Sequence, residues 1–276
     1  LYGGDGNDTL KHDALDTVVS GGAGFDLLDA GANVAAQTIN LSLAKYADIE
    51  AVRGGSGSDS LTGNLLGNWM EGGFANDTID GGAGNDTLMG QTGNDVLRGG
   101  ADADHLQGGD GNDSLQGDAG ADILAGGAGA DTLYGGLGND LLQLSGNDVV
   151  QFGKADGNDV LVSDGSGVSQ IRFTDSAQSE WDMQAVGNDL VIQRRSGGNA
   201  SLTLTGWYGG GNWSGQTVFQ FTDGLYSAPW QGSNADEERS GSAARDWFKG
   251  GGGDDTLSGQ DGNDTLSGEG GDDGLY

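Results

Sequence analysis

GGAGNDTLM (81–89), GQTGNDVLR (90–98), GGADADHLQ (99–107), GGDGNDSLQ (108–116) and GDAGADILA (117–125) are consecutive, and their reading decides the fold of this chain. They lie inside a longer run, 54–143, that divides into ten nine-residue units without insertion or deletion. Position six is Asp59, Asp77, Asp86, Asp95, Asp104, Asp113, Asp122, Asp131 and Asp140, with Asn68 the one replacement. Position eight is apolar in all ten, from Leu61 and Met70 to Leu142. Each unit splits into a six-residue Gly/Asp/Asn turn and a three-residue strand whose central residue points one way and its neighbours the other. One such strand cannot bury its single leucine. Two units make one eighteen-residue coil of a flattened parallel solenoid, and stacked coils join the leucines into a continuous core. The run of ten therefore predicts five coils, about 24 Å at a strand spacing of about 4.8 Å.

The coil also decides which acids meet. Residues eighteen apart stack, so Asp59, Asp77, Asp95, Asp113 and Asp131 form one column. Asn68, Asp86, Asp104, Asp122 and Asp140 form the other. Bare carboxylates stacked about 5 Å apart repel. A hard divalent cation between neighbouring turns removes that repulsion and satisfies the turn carbonyls. Oxygen-only ligands without His or Cys select Ca²⁺ over transition metals, and Mg²⁺ fits less well because it keeps its own waters.

These units resemble the glycine-rich nonapeptide repeats of the RTX (repeats-in-toxin) family. The resemblance implies a calcium-stacked β-roll, each ion lying between two turns on one side and held by position-six carboxylates and carbonyls of the glycine-rich turn. Carried onto this chain, the main array has eight stacked pairs, seven of them Asp–Asp, and Asn68–Asp86 is the weakest.

The flanks extend the pattern. Residues 3–11 (GGDGNDTLK) and 21–29 (GGAGFDLLD) are good units separated by a degenerate one, which leaves Asp8 and Asp26 eighteen apart and able to share an ion. Residues 30–53 read as inserted strands that pack on or cap the roll edge, with Ile39, Leu41 and Leu43 alternating. His12 and His105 read as exposed residues. After Gln143 the register slips, and strand-like runs from Val149 to Phe221 predict a compact antiparallel β domain over 144–230. Its string GNDLVIQRRSGG…SLTLTGWY…VFQFTDG resembles the haemolysin-type calcium-binding-related domain. Trp181, Trp207, Tyr208, Trp213, Tyr226 and Trp230 concentrate there, and read either as its core or as a stacking platform for glycan or peptide. Residues 231–240 (QGSNADEERS) read as a polar linker. A second array over 241–276 carries Asp246, Asp255, Asp264 and Asp273, paired 246–264 and 255–273. The fold class expected is thus all-β, a parallel β-roll with an inserted antiparallel β domain.

With 42 acidic against 11 basic residues, the net charge of −31 argues against a nucleic-acid partner. Such a balance ordinarily signals disorder, which the periodicity overrides once calcium is present. About ten ions would bring −31 towards about −11. There is no cysteine, and no apolar run approaches membrane-spanning length. No HExxH, G-x-S-x-G or P-loop pattern occurs, so the chain is expected to be non-enzymatic in itself. By family resemblance it is expected to be secreted through a type I system, and to fold outside the cell as a structural module of a larger protein. The alternatives are an adhesin or surface-layer protein binding glycan or neighbouring subunits, and the accessory domain of a secreted hydrolase. Leu275-Tyr276 and Leu1-Tyr2 occupy equivalent repeat positions, which adds the expectation of a tandem or filamentous assembly.

Overall fold

Glycine-rich turns alternating with x-apolar-x triplets wind the chain into a succession of short strands, and the computed structural model shows those strands stacking in register. It describes residues 1–276 apart from 14, 17, 47, 168, 196–197, 208–216, 228–229 and 244. Among the described residues two long sheets face each other, one of twelve strands and one of ten. On the first, Thr87–Thr92, His105–Asp110, Ile123–Ala128 and Leu141–Leu144 run parallel, with Leu88 opposite Leu106, Leu106 opposite Leu124 and Leu124 opposite Leu142. On the second, Leu97, Leu115 and Leu133 align in the same way. The position-eight side chains of residues 54–143 from both walls meet between the sheets and are at most 1% exposed. Each contributes about 1.5–3 kcal/mol by leaving water, which no isolated unit gains.

The stacking continues where the nine-residue period does not. Leu28 aligns with Val52, and Ile39 with Leu61, so residues 30–53 supply two rungs of the walls, Thr38–Asn40 and Ala51–Gly55. Their surplus length is taken up in a short 3₁₀ turn, Ala44–Tyr46, whose Tyr46 is buried. Beyond 143, Leu133 aligns with Val150 and Leu142 with Leu161, one coil a residue short and the other a residue long. Val150 then aligns with Ile171, still in parallel. The antiparallel pairing expected over 144–230 is confined to two places. One is the meander Trp181–Val186, Asp189–Arg194 and Ser201–Leu204; the other is the hairpin Val218–Phe221 with Gly224–Tyr226. The last strand of the meander, Ser201–Leu204, and the first of the hairpin, Val218–Phe221, pair parallel to the roll.

The wider coils enclose aromatics in place of leucine. Phe173 stacks on Phe221 at 4.2 Å and lies 4.9 Å from Trp181, whose indole N–H donates to Ser176 Oγ at 2.8 Å. A smaller roll follows, built from Trp230–Gln231, Trp247–Gly252 and Thr265–Gly270 on one wall and Glu238–Ser240, Thr256–Ser258 and Gly274–Leu275 on the other. Residues 231–240 therefore contribute strands, where the sequence suggested only a linker. Lys249 fastens this roll to the meander, donating to Asp182 Oδ1 at 2.8 Å and Met183 O at 2.7 Å.

Candidate metal columns

The position-one glycine shows why the turn has its composition. A Cβ placed on Gly90 would fall well under 3.0 Å from both Asp95 Oδ2 and the carbonyl oxygen of Gly108. The same two oxygens, the position-six carboxylate of the unit and the position-one carbonyl one coil on, converge at Gly81, Gly108 and Gly117. Glycine leaves room for this approach and no other residue does.

The other carboxylate oxygen links the rungs. The main-chain N–H of Asp59 donates to Asp77 Oδ1 at 2.7 Å, Asp77 to Asp95 at 2.7 Å, Asp95 to Asp113 at 2.8 Å and Asp113 to Asp131 at 2.8 Å. In the second column Asn68 donates to Asp86 at 2.7 Å, Asp86 to Asp104 at 2.8 Å, Asp104 to Asp122 at 2.8 Å and Asp122 to Asp140 at 2.9 Å. Every one of these acids from Asp77 to Asp140 keeps its Oδ2 buried without a hydrogen-bond partner. An acceptor facing a carbonyl, with no donor between them, is a costly arrangement for a protein interior unless a cation supplies the missing positive charge.

Electrostatics point the same way. Burial pushes Asp77 and Asp104 up to about 7, against the hydrogen bond from the rung before and with help from neighbouring carboxylates. Burial likewise pushes Asp86, Asp113 and Asp140 up to about 6, and raises Asp59, Asp95, Asp122 and Asp131. The available donors are all oxygen. Among the described residues no group of three or more His, Cys, Asp or Glu side chains is placed to hold a metal ion, and the oxygens that do converge are carboxylates and main-chain carbonyls.

The outlying acids fall into the same arrangement. Asp8 N–H donates to Asp26 Oδ1 at 2.8 Å, and both residues have a buried, unpartnered Oδ2. Asp246 is joined to Asp264, and Asp255 to Asp273, each at 2.9 Å, although Asp264 and Asp273 are only half-buried. Sequence reasoning missed Asp148 and Asp159. They prolong the columns, accepting from Asp131 at 3.0 Å and Asp140 at 3.1 Å, and burial pushes Asp159 up to about 8. Their Gly-Asn-Asp contexts carried the signal, but spacings of seventeen and nineteen hid it.

Other candidates resolve differently. His105 is exposed as expected; His12 is not, its side chain being 6% exposed against the edge of Tyr46 with Nδ1 3.3 Å from Asp16. Of the aromatics considered as a ligand platform, Trp181 and Tyr226 are core residues and Trp207 packs against the core. Trp230 is half-buried beside Phe248, while Tyr208 and Trp213 lie outside the described residues.

A family model of the RTX calcium-binding nonapeptide repeat (4 copies) matches residues 1–16, 13–33, 62–97, 71–106, 81–115, 89–124, 107–142 and 240–275, over half of the chain. No curated protein matches it.

Proposed function

The chain belongs to the RTX calcium-binding nonapeptide repeat family, and from that premise we propose that its acid columns are calcium ligands whose occupation drives folding. The ligands are Asp8 and Asp26, the position-six acids Asp59, Asp77, Asp86, Asp95, Asp104, Asp113, Asp122, Asp131 and Asp140, and Asp246, Asp255, Asp264 and Asp273 of the last array. The observation that carries this reading is the ladder of buried Oδ2 atoms from Asp77 to Asp140 without a donor.

Calcium supplies the positive charge that lets these acids stack; the chain supplies everything else. Each Oδ1 fixes its carboxylate by accepting the N–H of the preceding rung, which leaves Oδ2 and the glycine carbonyl free to face the ion. The unfolded chain has no such arrangement, so binding energy becomes folding energy. Low calcium inside a cell keeps the chain unfolded for export, and extracellular calcium then folds it. In this reading the chain is a secreted, non-enzymatic scaffold within a larger extracellular protein, reaching the outside by type I secretion.

Far-UV circular dichroism tests the core of it. In EGTA the spectrum should be mostly coil, turning to β on addition of Ca²⁺ but not of equimolar Mg²⁺. A β spectrum indifferent to metal overturns calcium-driven folding.

A further inference from the structure

Two positions outside the family match reproduce the rung geometry with glutamate in place of aspartate. The first follows Asp26. The regular spacing would put the next acid of this column at position 44, where the chain has Ala44 in the 3₁₀ turn. Twenty-four residues on, Glu50 takes the place: the N–H of Asp26 donates to Glu50 Oε2 at 2.9 Å, as Asp59 N–H does to Asp77. Asp26 is fully buried and its Oδ2 has no partner. A Cβ on Gly21 would collide with that Oδ2 and with the carbonyl oxygen of Asp48, which stands where the position-one carbonyl stands in a regular coil. The carboxylate of Asp48 is engaged elsewhere, accepting from Ser20 Oγ at 2.6 Å and Gly22 N–H at 3.0 Å. Glu50, one methylene longer than Asp, reaches the column from the enlarged turn.

The second lies at the start of the C-terminal roll. Glu237 N–H donates to Asp255 Oδ1 at 2.9 Å. A Cβ on Gly232 would collide with Glu237 Oε2 and the carbonyl oxygen of Gly250, the same convergence five residues upstream of the acid. Glu237 Oε2 is buried without a partner, while Oε1 accepts from Ser233 N–H at 3.0 Å. Asp255 is 1% exposed and its Oδ2 is also unpartnered. Beside it the N–H of Asp254 donates to Asp236 Oδ1 at 2.9 Å, matching the ladder from Asn94 to Asn76. Residues 232–240 (GSNADEERS) thus form a repeat unit in space.

We propose that Asp26–Glu50 and Glu237–Asp255 are divalent-cation sites, completed by glutamate where the sequence period breaks. The proposal rests on the calcium reading and deepens it. Two carboxylates and a main-chain carbonyl give each site the all-oxygen donors of the regular rungs, so Ca²⁺ is the ion expected. Each ion ties an irregular segment to a regular one: residues 30–53 to the N-terminal units, and residues 232–240 to the last array.

Native mass spectrometry of the whole chain in calcium counts the ions. Glu50→Gln and Glu237→Gln should each bind one ion fewer than wild type. Glu238→Gln, an exposed neighbour, should keep the full count. Wild-type counts in both of the first two variants overturn the proposal, whereas a wild-type chain that takes up no calcium overturns the calcium reading beneath it. A measurement on unmutated protein guards against variants that fail to fold. Terbium-loaded crystals should give anomalous peaks at Asp26–Glu50 and Glu237–Asp255 as well as at Asp77–Asp95. Peaks at the last alone refute the glutamate sites.

Discussion

At the scale of the residue, each position of the repeat answers one constraint. Asp104 serves two rungs, accepting from Asp86 and donating its own N–H to Asp122, whereas Asp273 serves one and is half-buried. Asp104→Asn should therefore raise the calcium midpoint roughly tenfold, about 1.4 kcal/mol, and Asp273→Asn by much less. Equal shifts in a calcium titration followed by circular dichroism would refute shared ligands. Glycine is replaced at a few turn positions by residues held at positive φ, Gln91 at 79° and Ala75 at 71° among them. A left-handed conformation costs a side-chain-bearing residue about 1 kcal/mol, so Gln91→Gly should raise stability by up to that amount in urea melts with calcium present. Gly90→Ala should do the reverse, because its methyl group would occupy the approach between Asp95 Oδ2 and Gly108 O.

At the scale of the element, a rung such as Thr87–Thr92 or His105–Asp110 runs six residues, past the apolar triplet into the next glycines, and is held by its neighbours. Leu106 lies between Leu88 and Leu124 with no exposed surface. Its replacement by Ala should cost about 2–5 kcal/mol in calcium-saturated protein, measured by denaturant unfolding, because stacked rungs cannot collapse into the cavity without breaking register. The rungs of 54–143 were legible because turn and strand recur in phase. At Thr38–Asn40 and Val149–Phe152 a strand was legible but its place as a rung of the roll was not, and Glu238–Ser240 read only as linker. A parallel strand needs a matching neighbour but no fixed distance along the chain, and lengthening a surface turn costs little. The antiparallel meander was visible as alternating apolar runs, yet its shared edge with the roll through Ser201–Leu204 was not.

At the scale of the molecule, charge governs the folding equilibrium. A net charge of −31 opposes compaction, and the columns concentrate that cost in the interior. In metal-free protein the folded-state values of Asp77 and Asp104, about 7, and of Asp159, about 8, stand above the ordinary 3.8. Groups raised on folding favour the folded state fully below their unfolded value, and that contribution is lost as pH rises through the folded one. Metal-free chain should accordingly gain β structure on acidification from pH 8 to pH 4, seen by circular dichroism in EGTA. Protons and calcium compete for the same oxygens, so the calcium midpoint should rise as pH falls from 8 to 5. A midpoint independent of pH would contradict ligation by these buried acids.

The sequence by itself determined the coil, the two acid columns, the leucine seam and the family. An eighteen-residue period stacks like positions whatever lies outside it, so local pattern and tertiary contact coincide there. Only the tertiary structure decided that coils of seventeen, nineteen and twenty-four residues close on the same walls, that Glu50 and Glu237 stand in for aspartate, and that aromatics fill the widened end. In those places the partners of a rung are set by which backbone edge is open and which side chain reaches it. No spacing in the chain records either.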